Sequence, residues 1–227
     1  MSAANRPDEI CSRLGVQYPL VQGPFGGGFS TALLAATVSN KGGLGSYGAH
    51  HLAPAQITQV VQEIRALTSK PFAVNLWVSD HDPGGEQFTQ RDLDRWFPLF
   101  EPYFRELGLG KPELPAVLHH RFVEQAEALI DARPPVFSFV FGVPSPRMLG
   151  RCRERGIITV GAATSIAEAL ALDEAGVDAI VASGFEGGGH RPSFLARAED
   201  SLHGTFALTQ IIAPRVRVPV IAAAASS

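Results

Sequence analysis

Apolar residues come in short continuous blocks along this chain, and polar, glycine-rich or helical text separates them. The first block, YPLVQGPF at 18–25, runs into Gly26, Gly27 and Gly28, and Ser30 stands where it can N-cap the small-residue helix TALLAATVSN at 31–40. Lys41, Gly42 and Gly43 stop that helix, and LGSYGA at 44–49 reads as a second strand. Pro54 then opens a helix whose apolar positions Ile57, Val60, Val61, Ile64 and Leu67 recur at helical spacing. A third strand, FAVNLWV at 72–78, is bounded by Lys70-Pro71 before it and by the turn-rich Ser79 to Gly85 after it.

From 80 to 135 this rhythm breaks. The text is aromatic and proline-rich, followed by a helical stretch from His120 to Ala132, and it reads as an insertion. The aromatic group Trp96, Phe97, Phe100, Tyr103 and Phe104 is expected to form that segment's own small core. The alternation then resumes with strands at 136–142, 157–164 and 178–184, and a last apolar run begins at Arg217. Ser165 is expected to cap the helix after the fifth strand, with Glu168 completing a capping box.

Seven strands, each apolar throughout rather than alternating, are the pattern of a parallel sheet buried on both faces. The fold is therefore α/β. Strand spacings of about 20 to 25 residues, without a single nucleotide-binding first turn, favour a TIM (β/α)8 barrel over an open doubly wound sheet. The barrel text covers 14–79 and 136–227 and stops after strand seven, so the expectation is a barrel truncated there, with open edges closed by further segments or paired with a second copy to give a homo-oligomer.

Composition narrows the chemistry. Nineteen basic against 22 acidic side chains give a net charge of −3, which supplies no bulk attraction for nucleic acid or an anionic membrane. With no apolar run long enough to span a bilayer and no hydrophobic signal core in MSAANRPDEI, the expected setting is cytoplasmic. Cys11 and Cys152 lack disulfide or zinc spacing and read as ordinary thiols.

In a parallel barrel, ligands sit where strands run into their following loops. Those positions here are rich in glycine, amides and hydroxyls and poor in carboxylates, which argues against metal hydrolysis or paired-carboxylate chemistry. Gly187, Gly188 and Gly189 would let backbone approach a flat ligand, and His190 would then bring one imidazole beside it. With a reference pKa of ~6.5 that ring is mostly neutral at pH 7 and suits a general base. Glu186 is expected to fix the loop through backbone amides. The Asn75 amide could read the edge of a ring or satisfy strand backbone, and His50 and His51 are candidates for the rim.

YPLVQGPFGG, LAATVSNKGGLGSYGA, FAVNLWV, TVGAATSIAEALALDEAGVDAIVASGFEGGGHR and VPVIAA together resemble the nitronate monooxygenases, also called 2-nitropropane dioxygenases, over residues 14 to 223 apart from the insertion. That family consists of FMN-dependent (β/α)8 barrels. The resemblance implies oxidation of an alkyl nitronate by O2, with His190 as the active-site residue and Gln22, Gly23, Asn75, Asp178, Ser183, Gly184, Gly188 and Gly189 along the FMN. The related flavin-dependent enoyl-acyl-carrier-protein reductases are the runner-up, and a barrel fragment acting only by association is the reading from another class. The family usually follows VPVIAA with a phosphate-binding glycine pair; this chain has Ala224, Ala225, Ser226 and Ser227, and Pro192 stands where many members have glycine. Weak FMN binding is the expectation that follows.

Overall fold

The computed structural model describes residues 7–79, 88–115 and 119–223. Helices α1 (Pro7–Leu14) and α2 (Ala32–Asn40) precede strand β1 (Gly45–Gly48), followed by α3 (Pro54–Leu67), β2 (Phe72–Trp77), α4 (Gln90–Glu106) and α5 (Phe122–Ala132). The second half runs β3 (Val136–Val140), α6 (Pro146–Glu154), β4 (Ile158–Ala163), α7 (Ile166–Ala175), β5 (Ala179–Ser183), α8 (Thr205–Ile212) and β6 (Val220–Ala223). The strands form one parallel sheet in the order β1-β2-β3-β4-β5-β6, as a right-handed succession of crossover helices requires. It is the curled part-barrel expected of α/β text.

The first expected strand is the exception. Only Val21 pairs, as a single parallel bridge to Leu44. Pro19 and Pro24 have no N–H to give a ladder, and local bonds from Leu20 N to Tyr18 O (2.7 Å) and Phe25 N to Gly23 O (3.1 Å) bend the rest into turns. The described residues thus hold six strands rather than seven.

Helix caps explain where the crossovers begin. Thr31, not Ser30, caps α2, its Oγ1 accepting from Leu34 N at 3.0 Å; Ser30 is buried and accepts from Phe25 N at 2.8 Å, closing the glycine loop before the helix. In α3, Pro54 occupies the first turn and Gln56 Oε1 accepts from Ala53 N at 2.9 Å. Ile57, Val60, Val61 and Ile64 are buried as their spacing predicts, whereas Leu67, at the end of the last turn, is exposed.

Two apolar layers sandwich the sheet. Phe72, Val74, Leu76, Phe137, Phe139, Ile180 and Ala182 pack against the helices, while the alternate residues Ala73, Val136, Val160 and Ala179 pack on the other face with Leu44 and with Leu14 from α1. Helix α5 belongs to the first layer, since Phe122, Ala126, Leu129 and Ile130 lie in the main core. It is the crossover helix between β2 and β3. Helix α4 buries no residue, and Trp96, Phe100 and Tyr103 are exposed, so the aromatic segment does not close a core of its own. Phe97 and Phe104 meet edge to face at 5.3 Å, the remnant of the expected cluster.

Candidate functional site

The inner face of the sheet changes character along the strands. Register aligns Ala73 with Val136 and Val136 with Ile158 near the strand starts; one pleat further, Asn75 aligns with Gly48 and Ser138, and beyond that Trp77 with Val140. Residues two apart share a face, so an apolar layer is followed by a polar one and then by an aromatic rim. Asn75 is buried, and its Nδ2 donates to Ser138 Oγ at 3.1 Å. At the last pleat of β5 and β6, Ser183 stands beside Ala223.

Four rings gather at that rim. His50, just after β1, stacks on Trp77, the last residue of β2, with centroids 3.7 Å apart and planes 2° from parallel. Phe141, just after β3, meets Trp77 at 5.1 Å, and His190 from the loop after β5 meets Trp77 at 4.7 Å and Phe141 at 6.2 Å. Phe141 has φ of 67°, a left-handed conformation that costs a bulky side chain about 1 to 2 kcal/mol. Burial, reinforced by His51 and His190, lowers the pKa of the half-buried His50 to about 4, so His50 is neutral at pH 7. His190 itself is exposed, and an imidazole so placed can take a proton from a small molecule lying over the rim.

The loop from 184 to 204 is held at both ends. Gly184 N donates to Thr205 Oγ1 at 3.0 Å, and a Cβ at Gly184 would run into the Thr205 backbone nitrogen, so only glycine lets β5 lie this close to the start of α8. Glu186 accepts from Thr205 N at 2.7 Å and fixes the loop as expected. Its own backbone N–H, and then that of Thr205, hold its carboxyl below the usual range. Arg191 reaches back to Ser183 O at 3.0 Å and to the backbone oxygen of Ser201, while its Nε is buried without a partner. At the rear, Glu168 is wholly buried and receives Thr164 N (2.7 Å), Thr164 Oγ1 (2.8 Å), Phe194 N (2.6 Å) and Leu195 N (3.0 Å). Ser165 caps α7 at Glu168 N (3.3 Å), but the carboxylate leaves the reciprocal half of the expected capping box to bind this loop.

Residues 9–225 match the sequence pattern of the nitronate monooxygenase family. The chain belongs to that family. A probable nitronate monooxygenase of Staphylococcus haemolyticus is 37% identical over 95% of this chain and 60% of its own length, and a nitronate monooxygenase of Paraburkholderia phytofirmans is 38% identical over 92% and 57%. A nitroalkane oxidase from Streptomyces ansochromogenes superposes with a TM-score of 0.77 at 29% identity, over 93% of this chain and 59% of its own. FabK from Thermotoga maritima shares the fold, with a TM-score of 0.65 at 22% identity. This chain spans about three fifths of the length of the curated relatives it matches.

Family membership implies a flavin, and the residues at the strand ends fit a flat ring. A Cβ at Gly27, Gly28 or Gly189 would meet nothing within 4 Å, so both glycine loops border open space. Phosphate donors are harder to find among the described residues: Glu186 already takes the first amide of α8, and residues 224–227, where the family's glycine pair is expected, lie outside the described residues. Of the residues expected along the cofactor, Ser183, Gly184, Gly188 and Gly189 end or follow β5 at this edge, and Asn75 lies one pleat below it, buried within β2. Gln22 and Gly23 lie on the segment bridged to β1; the Gln22 amide donates to Gly23 O and Ser30 Oγ and accepts from Ser46 N at 3.0 Å.

Asp178 is elsewhere. It precedes β5, and its carboxylate receives Thr159 N and Oγ1, both at 2.8 Å, at the strand starts rather than along the edge with Ser183. An acidic residue ahead of a strand serves here as a clasp between β4 and β5. Sequence reasoning passed over Trp77 and Phe141, although Trp77 lies two residues beyond Asn75 and period two puts both on one face.

Proposed function

We propose that this chain is the barrel portion of a cytoplasmic, FMN-dependent nitronate monooxygenase that takes alkyl nitronates or nitroalkanes and O2 to carbonyl compounds and nitrite. The observation that carries the reading is His190, presented on the Gly187–Gly189 stretch against Trp77 and Phe141 at the mouth of the sheet. Family membership, and the likeness to a nitroalkane oxidase, support it. FMN, when bound, supplies the electron-accepting ring that O2 reoxidises.

The chain's own residues do the rest. Asn75, Ser183, Gly184, Gly188 and Gly189 line the edge where the ring would rest, Gln22 and Gly23 border it, and Trp77 and Phe141 wall off water beside the reacting carbon. His190 Nδ1 or Nε2 takes the α-proton of a neutral nitroalkane; a preformed nitronate has already lost that proton, so for it His190 only orients the substrate.

The test is nitrite release with O2 consumption, measured on both substrate forms for the native chain and for His190→Asn. General-base catalysis is worth ~10² to 10⁴, so His190→Asn is expected to slow neutral nitroalkanes by about that factor and nitronates far less. Equal losses on both would remove His190 as the base, and rapid NADPH oxidation driven by an enoyl thioester would replace the reading with a reductase.

A further inference from the structure

We propose that His50 is a positioning residue for His190, acting through Trp77: the imidazole stacked on the indole fixes the surface against which the base packs. The proposal rests on the reading of His190 as the base.

The geometry is specific on three sides. His50 lies flat on Trp77 at 3.7 Å, and His190 packs edge-on against the same indole at 4.7 Å. On another side, a Cβ at Gly26 would run into His50 Cε1, so the glycine loop closes onto the ring. Behind it, Gln125 of α5 donates its Nε2 to the backbone oxygens of His50 and Leu52, both at 2.8 Å, and pins the turn after β1. The stack is therefore held by the 26 loop, the end of β2 and α5 together, and His190 arrives on a loop whose nearest ring contacts are Trp77 and Phe141.

The chemistry suits the task. Among the described residues the titratable groups facing His50 are His51 and His190, so burial and both neighbours favour its uncharged form. A neutral, flat ring can brace Trp77 without adding a second positive charge next to a base that must become cationic when it takes a proton. A Lys or Arg at position 50 would oppose that proton transfer.

Two variants separate bracing from folding. His50→Ala removes the ring; His50→Phe restores a flat ring without nitrogen. The first readout needs no cofactor or substrate: the His190 ring signals in NMR spectra of the chain report the ring current of Trp77. In His50→Ala they are expected to move, and in His50→Phe to return towards their native positions.

The second readout is turnover of neutral nitroalkanes. His50→Ala is expected to lower kcat about ten- to hundredfold, the usual effect of misplacing a reacting group by an ångström, with KM within about twofold, and His50→Phe to recover most of it. His190 signals unchanged in His50→Ala would overturn the proposal, as would signals that stay displaced in a folded His50→Phe. If no variant and no native protein releases nitrite while the NMR result holds, the activity reading fails and the positioning role stands.

Discussion

The loop from 184 to 204 and helix α4 invert the usual expectation about order. The loop contains only one short 3-10 turn, Ala198–Asp200, yet buried polar groups fix it at Thr164, Glu168, Ser201 and Thr205. Helix α4 has seventeen residues, an N-cap at Thr89 and a reciprocal bond from Thr89 N to Asp92 Oδ2 at 2.9 Å, yet it buries nothing. Regular backbone and fixed position are thus separate properties. The first comes from local capping and spacing; the second requires burial or satisfied polar groups from other elements. The candidate base sits on the irregular segment, which hydrogen bonds tie to the ends of β4 and β5 and to the start of α8.

Breaking the tie should have the largest effect. Glu168→Ala would take the acceptor from the amides of Thr164, Phe194 and Leu195, the first of them wholly buried; the Thr164 hydroxyl keeps Ser193 and Ser201. Unsatisfied buried donors cost about 1 to 3 kcal/mol each, and partial relaxation brings the expected loss to about 3 to 5 kcal/mol in urea unfolding. Glu168→Gln keeps the volume and one acceptor oxygen and is expected to lose about half as much. A loss under 1 kcal/mol for Glu168→Ala would show that the rear of the loop is not what fixes it.

The ring stack against which His190 of that loop packs should respond to acid. His50 has a pKa near 4 in the fold against an ordinary 6.5, so between those values the unfolded chain binds a proton that the folded chain refuses. Stability therefore falls as pH drops from about 6.5 to about 4 and levels off below. Solvent screening of a half-exposed ring reduces the contribution to about 1 to 2 kcal/mol. His50→Phe removes this share, so its denaturation midpoint is expected to decline less than the native one across that window. Parallel curves would mean that His50 titrates normally.

How much of this was legible in the sequence follows from the same division. The strands β1 to β6, the buried face of α3 and the ring of glycines were readable because pleat, helical spacing and turn chemistry are local. Three features depended on partners far along the chain. Glu168 looked like half of a capping box, and only folding brings Phe194 and Leu195 to its carboxylate. Val21 looked like strand, but Pro19 and Pro24 deny it a ladder and leave one bridge. Asp178 resembled a cofactor neighbour by its motif, and its register with Thr159 puts it at the other end of the strand. The place of His190 in the loop after β5 was legible from its glycines, and His50 was a candidate for the rim, whereas the stack with Trp77 and Phe141 was not, because the three rings come from separate strand ends.

Helix α4 should give the smallest effect. Its Trp96 and Tyr103 are exposed, none of its residues is buried, and Pro98 and Pro102 each remove a donor from its ladder. Its ion pairs, Lys111 to Asp94 at 2.6 Å and Arg105 to Glu101 at 3.3 Å, are exposed and of the kind that contribute ~0 to 1 kcal/mol, and Arg95 lies over the Trp96 ring at 5.1 Å, an exposed contact of similar size. Replacing Trp96 and Tyr103 together with Gln is expected to change global stability by less than about 0.5 kcal/mol. Limited proteolysis should cut within 90–106 before it cuts the 184–204 loop, although the helix is the regular segment of the two. Local opening controls cleavage, and opening is cheap where no buried contact has to break. A loss above 1 kcal/mol on the double substitution, or first cleavage in the loop, would mean that α4 is docked and that the contrast between a fixed loop and a free helix does not hold.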